Sequence, residues 1–167
     1  MRRFLLFLIG LLLIVGITLV MWLRTPDQGI PLTPEPQSMT TVKVFFGDSS
    51  KESSEDGCQE VHPVARTIPV TDSVARAALE QLLRGPTQQE DGEGLFSSIN
   101  PGTRLLGLEI KRGTALADFS SELDQDVAGS CRVEAIRAQI SETLKQFPTV
   151  HDVVISVEGQ AVDILQP

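Results

Sequence analysis

Apolar and polar positions change period along this chain, and the clearest change lies between Gly129 and Gln160, GSCRVEAIRAQISETLKQFPTVHDVVISVEGQ. Val133, Ile136, Ile140, Leu144 and Phe147 recur every three or four residues, which places them on one face of an α-helix. Ser130 is expected to cap its start, and Pro148 disfavours helical geometry at Phe147 and so ends it. From Val150 to Val157 the pattern becomes a β-branched run, and Glu158-Gly159 reads as a hairpin turn before a short return, Gln160 to Leu165. A helix of about 16 residues with one apolar stripe needs a sheet to lie on.

Earlier segments supply that sheet. Thr41 to Phe46 alternates as a first strand, and Gly47 to Gly57 is a polar loop. Val61 to Val70 is extended but carries Pro63 and Pro69, which fits an edge strand or an extended arm, since proline cannot donate to a ladder. Thr71 to Arg84 is the first helix, with Thr71 as the expected N-cap and Gly85-Pro86 as its stop. Thr87 to Gly94 is charged and reads as a frayed turn. Thr103 to Lys111 and Thr114 to Phe119 form a hairpin across Arg112-Gly113. The expected order is β, β, α, β, β, α, β, β. The fold class is α+β: a two-layer α/β sandwich with two helices on one face of a mixed sheet.

The first forty residues belong to something else. Phe4 to Leu23 runs FLLFLIGLLLIVGITLVMWL without a charge, and such a run reaches about 30 Å as a helix, the thickness of a bilayer core. Arg2 and Arg3 precede it and Arg24 alone follows, so the N-terminus is expected in the cytoplasm and the rest outside it. MWLRTPDQ offers no small-x-small cleavage site, so the run is read as an uncleaved transmembrane helix rather than a signal peptide. TPDQGIPLTPEPQS, rich in proline and polar residues, is a tether. The expected organisation is an anchor over 1–24, a linker over 25–38 and a folded domain over 39–167.

Charge narrows the function classes. From Met39 onward the sequence holds 11 Lys/Arg and 20 Asp/Glu, a net −9, with no basic cluster, which excludes a nucleic-acid face. Asp118, Glu122, Asp124 and Asp126 crowd one segment but lack the offsets of a calcium loop. A glycosidase pair would come with aromatic sugar platforms, yet the chain has no tyrosine and its one tryptophan, Trp22, sits in the apolar run. His62 stands beside a proline and His151 opens a strand, so both read as structural or surface residues, and no GxSxG elbow is present. No cofactor motif and no metal-ligand spacing appear, and the chain is expected not to be an enzyme. Cys58 and Cys131 are the only cysteines and, outside the cytoplasm, are expected to form a disulfide; the loop-entropy model gives it roughly 4 kcal/mol.

Several landmarks occur in a fixed order: VKVFFGD, VARTIPV, a helix ending LLRGPT, SINPGTRLLGLEI, ALADFSSEL and LKQFPTVHDVVISVEGQ. Together, over residues 40 to 163, they resemble the GerMN domain of sporulation and spore-germination proteins. The resemblance implies a bacterial protein held outside the cytoplasmic membrane and acting in envelope or spore assembly. It implies a fold similar to ring-building motifs and brings no catalytic residues. This chain has one copy rather than a tandem pair, no lipobox cysteine, and two added cysteines. The function expected is a membrane-anchored, non-catalytic module that meets a protein partner or its own copies at the cell envelope. Arg76, Glu80 and Arg84 on the first helix, and Glu134, Arg137 and Lys145 on the second, are its candidate interaction surface. The alternative is an extracytoplasmic sensor or binding domain for a wall fragment or small molecule, which would need a concave pocket.

Overall fold

The computed structural model describes residues 38–50 and 58–160, together with four helical positions, Gly16, Thr18, Leu19 and Met21, in the apolar run. Residues 1–36 and 37–167 form two separate units. Among the described residues no helix is long and apolar enough to cross a membrane. The expected span over 4–23 lies almost wholly outside the described residues, as do most of the linker, most of the polar loop before Cys58, and the return strand after Gln160.

Strand β1, Met39–Asp48, buries Val42, Val44 and Phe46 on one face by simple alternation. It pairs antiparallel with β2, Val61–Pro69, from Met39↔Pro69 to Gly47↔Val61. Val70 N–H donates to the Ser38 carbonyl at 2.8 Å, so the even-numbered residues of β2 bond to β1. Pro63 and Pro69 therefore take outward positions, where the ladder needs no N–H. On its other side β1 meets a strand at Gly47 and Asp48 alone, where the two-residue β3, Leu95–Phe96, crosses it. Strands β4, Leu105–Lys111, β5, Thr114–Phe119, and β6, Asp152–Val157, form a second sheet in the order β4-β5-β6. Arg112 and Gly113 turn the β4–β5 hairpin with φ of 49° and 89°, as a primed two-residue turn requires. β6 runs parallel to β5 in the register Thr114↔Asp152.

The expected single mixed sheet is thus two three-stranded sheets, β2-β1-β3 and β4-β5-β6. The cause lies in the helix that joins β5 to β6. Helix α1 spans Val74–Leu83, α2 spans Gln88–Gly92 and α3 spans Ser130–Lys145. One face of α3 is apolar: Val133, Ile136, Ile140 and Leu144 enter a core shared with Val44, Phe46, Leu79, Leu82, Ala115, Ala117, Phe119 and Ile155. A neighbouring stripe of α3, spaced i, i+4, i+7, is polar and meets the free edge of β1. Gln146 accepts from Lys43 N–H at 2.8 Å and donates to the Lys43 carbonyl at 2.6 Å. Thr143 Oγ1 accepts from Phe45 N–H at 3.2 Å. With its amide oxygen turned toward two donors, Gln139 accepts from Gly47 N–H at 3.3 Å and Ser98 N–H at 3.2 Å. Gln139 and Thr143 are fully buried. Helix side chains occupy the positions where another strand would pair, so the sheet ends there.

Local details also differ from the sequence reading. Thr71 does not cap α1; its hydroxyl accepts from Ser73 N–H at 3.2 Å, and this turn delays the helix to Val74. Ser130 lies inside α3, and Gly129, with φ of 89°, precedes it. The charged stretch after Gly85-Pro86 is a real helix with a capping box: Glu90 N–H donates to Thr87 Oγ1 at 3.3 Å, and Thr87 N–H to Glu90 Oε2 at 2.8 Å. Glu90 also receives both guanidinium nitrogens of Arg66, each at 2.6 Å, with both side chains 14% exposed. Arg66 in turn lies 5.7 Å from the Phe46 ring centroid. One carboxylate thus ties α2 to β2, and the Arg66 hydrogen bonds hold its pKa down at about 2.

Two outcomes follow from these contacts. Thr143→Val removes the buried acceptor from Phe45 N–H and should cost about 1–3 kcal/mol in urea unfolding, whereas Lys145→Ala on the exposed face should stay within about 0.5 kcal/mol. Equal, small effects would mean that the β1 edge does not depend on α3. For Glu90, the folded pKa of about 2 lies below the ordinary 4.5, so its contribution is complete above pH 4.5 and declines as pH falls toward 2. The melting-temperature gap between the parent and Glu90→Gln should be constant from pH 7 to 5 and shrink below pH 4.5; a gap that persists at pH 2 would refute the ion-pair account.

Candidate functional site

A groove of about 950 Å³ opens on the described domain. That volume is of the size that binds small ligands or a short peptide segment. One wall is the end of α1, Leu83 to Pro86, where Gly85 adopts φ of 79° and its N–H donates to the Leu82 carbonyl at 2.9 Å. The floor is Phe96 to Ile99. Phe96 lies flat against Gly47, where an added Cβ would fall 2.5 Å from the ring, so glycine is needed there for β3 to cross β1. The far wall is the start of α3, from Ala128 to Arg132, with the Cys58–Cys131 disulfide beside it. The two cysteines, 73 residues apart in sequence, have Cα atoms 5.0 Å apart, which fixes the segment before β2 against α3.

Asn100 and Arg132 organise the rim. Asn100 Nδ2 donates to the carbonyls of Glu122 and Gln125, both at 2.7 Å. Its Oδ1 accepts from Arg132 at 2.5 Å, and Arg132 also reaches the Asp126 carbonyl at 3.3 Å. The acidic segment is therefore pinned through its backbone. Its carboxylates have separate duties. Asp118 accepts from Ser156 Oγ at 2.7 Å and Gly159 N–H at 2.8 Å, which closes the turn after β6. Glu122 is held below the usual carboxylate range first by a hydrogen bond from Ser120, with Arg104 at 3.9 Å adding attraction. Among the described residues no three His, Cys, Asp or Glu side chains come together as a metal site would need. His62 faces Phe46 across the β1–β2 ladder, and His151 covers Gly113, where a Cβ would lie 2.8 Å from its ring. Neither imidazole is part of the groove lining.

The six candidate surface residues do not converge. Arg84 lines the groove. Glu134, Arg137 and Lys145 share a shallow depression of about 330 Å³ along α3, with Gln59 donating to Glu134 at 3.3 Å and Lys145 lying 3.9 Å from Glu142. Arg76 is partly buried on α1 and Glu80 is exposed there. Sequence reasoning missed Phe96, Ile99, Asn100 and Arg132. The paired glycines and proline around them signalled turns, but no pattern in the chain linked Leu95–Gly102 to the start of α3.

Residues 43–163, 121 of the 167, match the family described as Germane, sporulation and spore germination. The spore germination protein GerM of Bacillus subtilis (strain 168) is 31% identical over 99 residues, which are 58% of this chain and 26% of that protein. The chain thus spans about a quarter of that relative's length. Among solved structures, the tandem GerMN domains of the sporulation protein GerM from Bacillus subtilis superpose with a TM-score of 0.58 at 22% identity, covering 77% of this chain and 43% of that one. The first GerMN domain of the same protein gives 0.53 at 25% identity over 74% of this chain and 86% of that one. This chain belongs to the Germane family and carries a GerMN domain like that of GerM.

Proposed function

We propose that this chain is a membrane-anchored, non-catalytic GerMN domain that works outside the cytoplasm in protein–protein assembly at the bacterial cell envelope, in a sporulation or germination setting, and that its partner's segment lies in the groove. The observation that carries this reading is the groove itself, about 950 Å³, polar and apolar in turn, with no imidazole in its lining and both cysteine sulfurs engaged in a disulfide. Strand addition to the first sheet is a weaker route: Pro63 and Pro69 occupy outward positions on β2, and α3 seals β1. The apolar run over 4–23 and the preceding arginines support the anchor, and a disulfide fits an oxidising compartment.

The sensor reading retains one favourable observation, since the groove is also of the volume that small ligands occupy. Photocrosslinkers at Ser98 in the groove, Lys111 on the second sheet and Lys145 on α3, placed in the full chain in its native envelope, separate the two. A discrete protein adduct at Ser98, lost when Ala128→Trp fills the groove, is expected. Adducts at Lys111 or Lys145 alone would move the interface out of the groove. No protein adduct at any position, with a thermal shift on adding soluble wall fragments, would favour the sensor.

A further inference from the structure

The disulfide at the groove wall differs from a buried structural staple. Cys131 is exposed and Cys58 is partly buried. Cys131 is the second residue of α3, whose first turn has no side-chain cap and no acidic residue. A thiolate there is stabilised by the unsatisfied N–H groups of the helix start. Among the described residues, the charged groups nearest in sequence to the bridge are Glu60 on the Cys58 side, and Arg132 and Glu134 on the Cys131 side; Glu134 accepts from the Gln59 amide at 3.3 Å, and Arg132 is engaged by Asn100 and the Asp126 carbonyl. Access therefore sets which end an external thiolate reaches first, the exposed Cys131 rather than the half-buried Cys58, and the helix start stabilises Cys131 as the thiolate that leaves in the second step.

We infer that Cys58–Cys131 is a site of thiol–disulfide exchange in the folded protein, open to an external dithiol at the exposed residue Cys131. A thiolate of the dithiol attacks Cys131 Sγ. The Cys58–Cys131 bond breaks, a mixed disulfide forms on Cys131, and Cys58 leaves as a thiolate that takes a proton from water. The second thiolate of the dithiol then attacks its own partner sulfur, and Cys131 leaves as a thiolate held by the α3 start. Two electrons pass to the bridge, and the dithiol becomes a disulfide. The product lacks the covalent link between the segment before β2 and α3, so one wall of the groove is released while the core stays intact. This exchange deepens the groove reading given above, which supplies the compartment for the oxidised state; the chemistry is independent of it.

The test uses the purified full chain in mild detergent. It is exposed to glutathione without denaturant, quenched by alkylation and mapped by mass spectrometry; the rate is followed against urea below the unfolding transition. The expected result is glutathione on Cys131, the alkyl group on Cys58, and a rate that does not rise with urea. A rate that climbs with urea as steeply as unfolding does would show that the bridge opens only in the unfolded chain, and would overturn the inference. Glutathione on Cys58 would overturn the assigned direction of attack. Dithiothreitol in place of glutathione should release both thiols with no mixed adduct remaining. None of these outcomes depends on whether a partner occupies the groove.

Discussion

Everything in this domain depends on how the second edge of β1 is closed. A ten-residue strand with one paired edge leaves a row of N–H and C=O groups that must be satisfied when buried. Here α3 supplies the partners through Gln139, Thr143 and Gln146. The match is geometric. Alternate strand residues are about 6.7 Å apart and one helical turn rises about 5.4 Å, so side chains three and four residues apart can reach successive outward donors. Because α3 also buries Val133, Ile136, Ile140 and Leu144, the same helix fastens both sheets to one core. Its position is therefore over-determined, which lets its exposed start form a wall of the groove.

That groove lies where three chain reversals meet. α1 ends at Gly85-Pro86, β3 lasts two residues because Phe96 can cross at Gly47 and then the chain must turn, and α3 begins after Gly129 with no side-chain cap. Leu82, Leu95, Ile99 and Val133 from these three ends enter one core, and residues of all three line the groove. The Arg66–Glu90 pair holds α2 against β2 near this opening, and Asn100 with Arg132 holds the acidic segment at the opposite rim.

Much of the fold was legible in the sequence. The 3.6-residue period of α3 and the Arg112-Gly113 turn located their elements correctly, because each depends on local spacing. The proline-bearing second strand was correctly placed at an edge. The sequence reading erred where long-range contacts decide. Gln139, Thr143 and Gln146 look like ordinary polar helix residues, and nothing local says that they end a sheet by replacing a strand. Ser130 has the chemistry of a cap, yet the backbone reverses at Gly129 and places it inside the helix. The cysteine pairing followed from there being two, but its place on the groove wall needed the tertiary fold.

Several acidic side chains of this domain serve its local structure. A net charge of −8 could have gathered into a catalytic or metal-binding cluster. Instead the carboxylates are dispersed into local structural contacts: Asp118 into a turn, Glu90 into a capping box and an ion pair, and Glu122 beside Ser120 and Arg104. The contacts of Glu90 and Glu122 lower their pKa and so favour the ionised form. The groove's polar lining combines Ser97 and Ser98, the guanidinium groups of Arg84 and Arg132 and the carboxylates of Glu60 and Asp91, groups that can orient a bound segment by hydrogen bonds and charge.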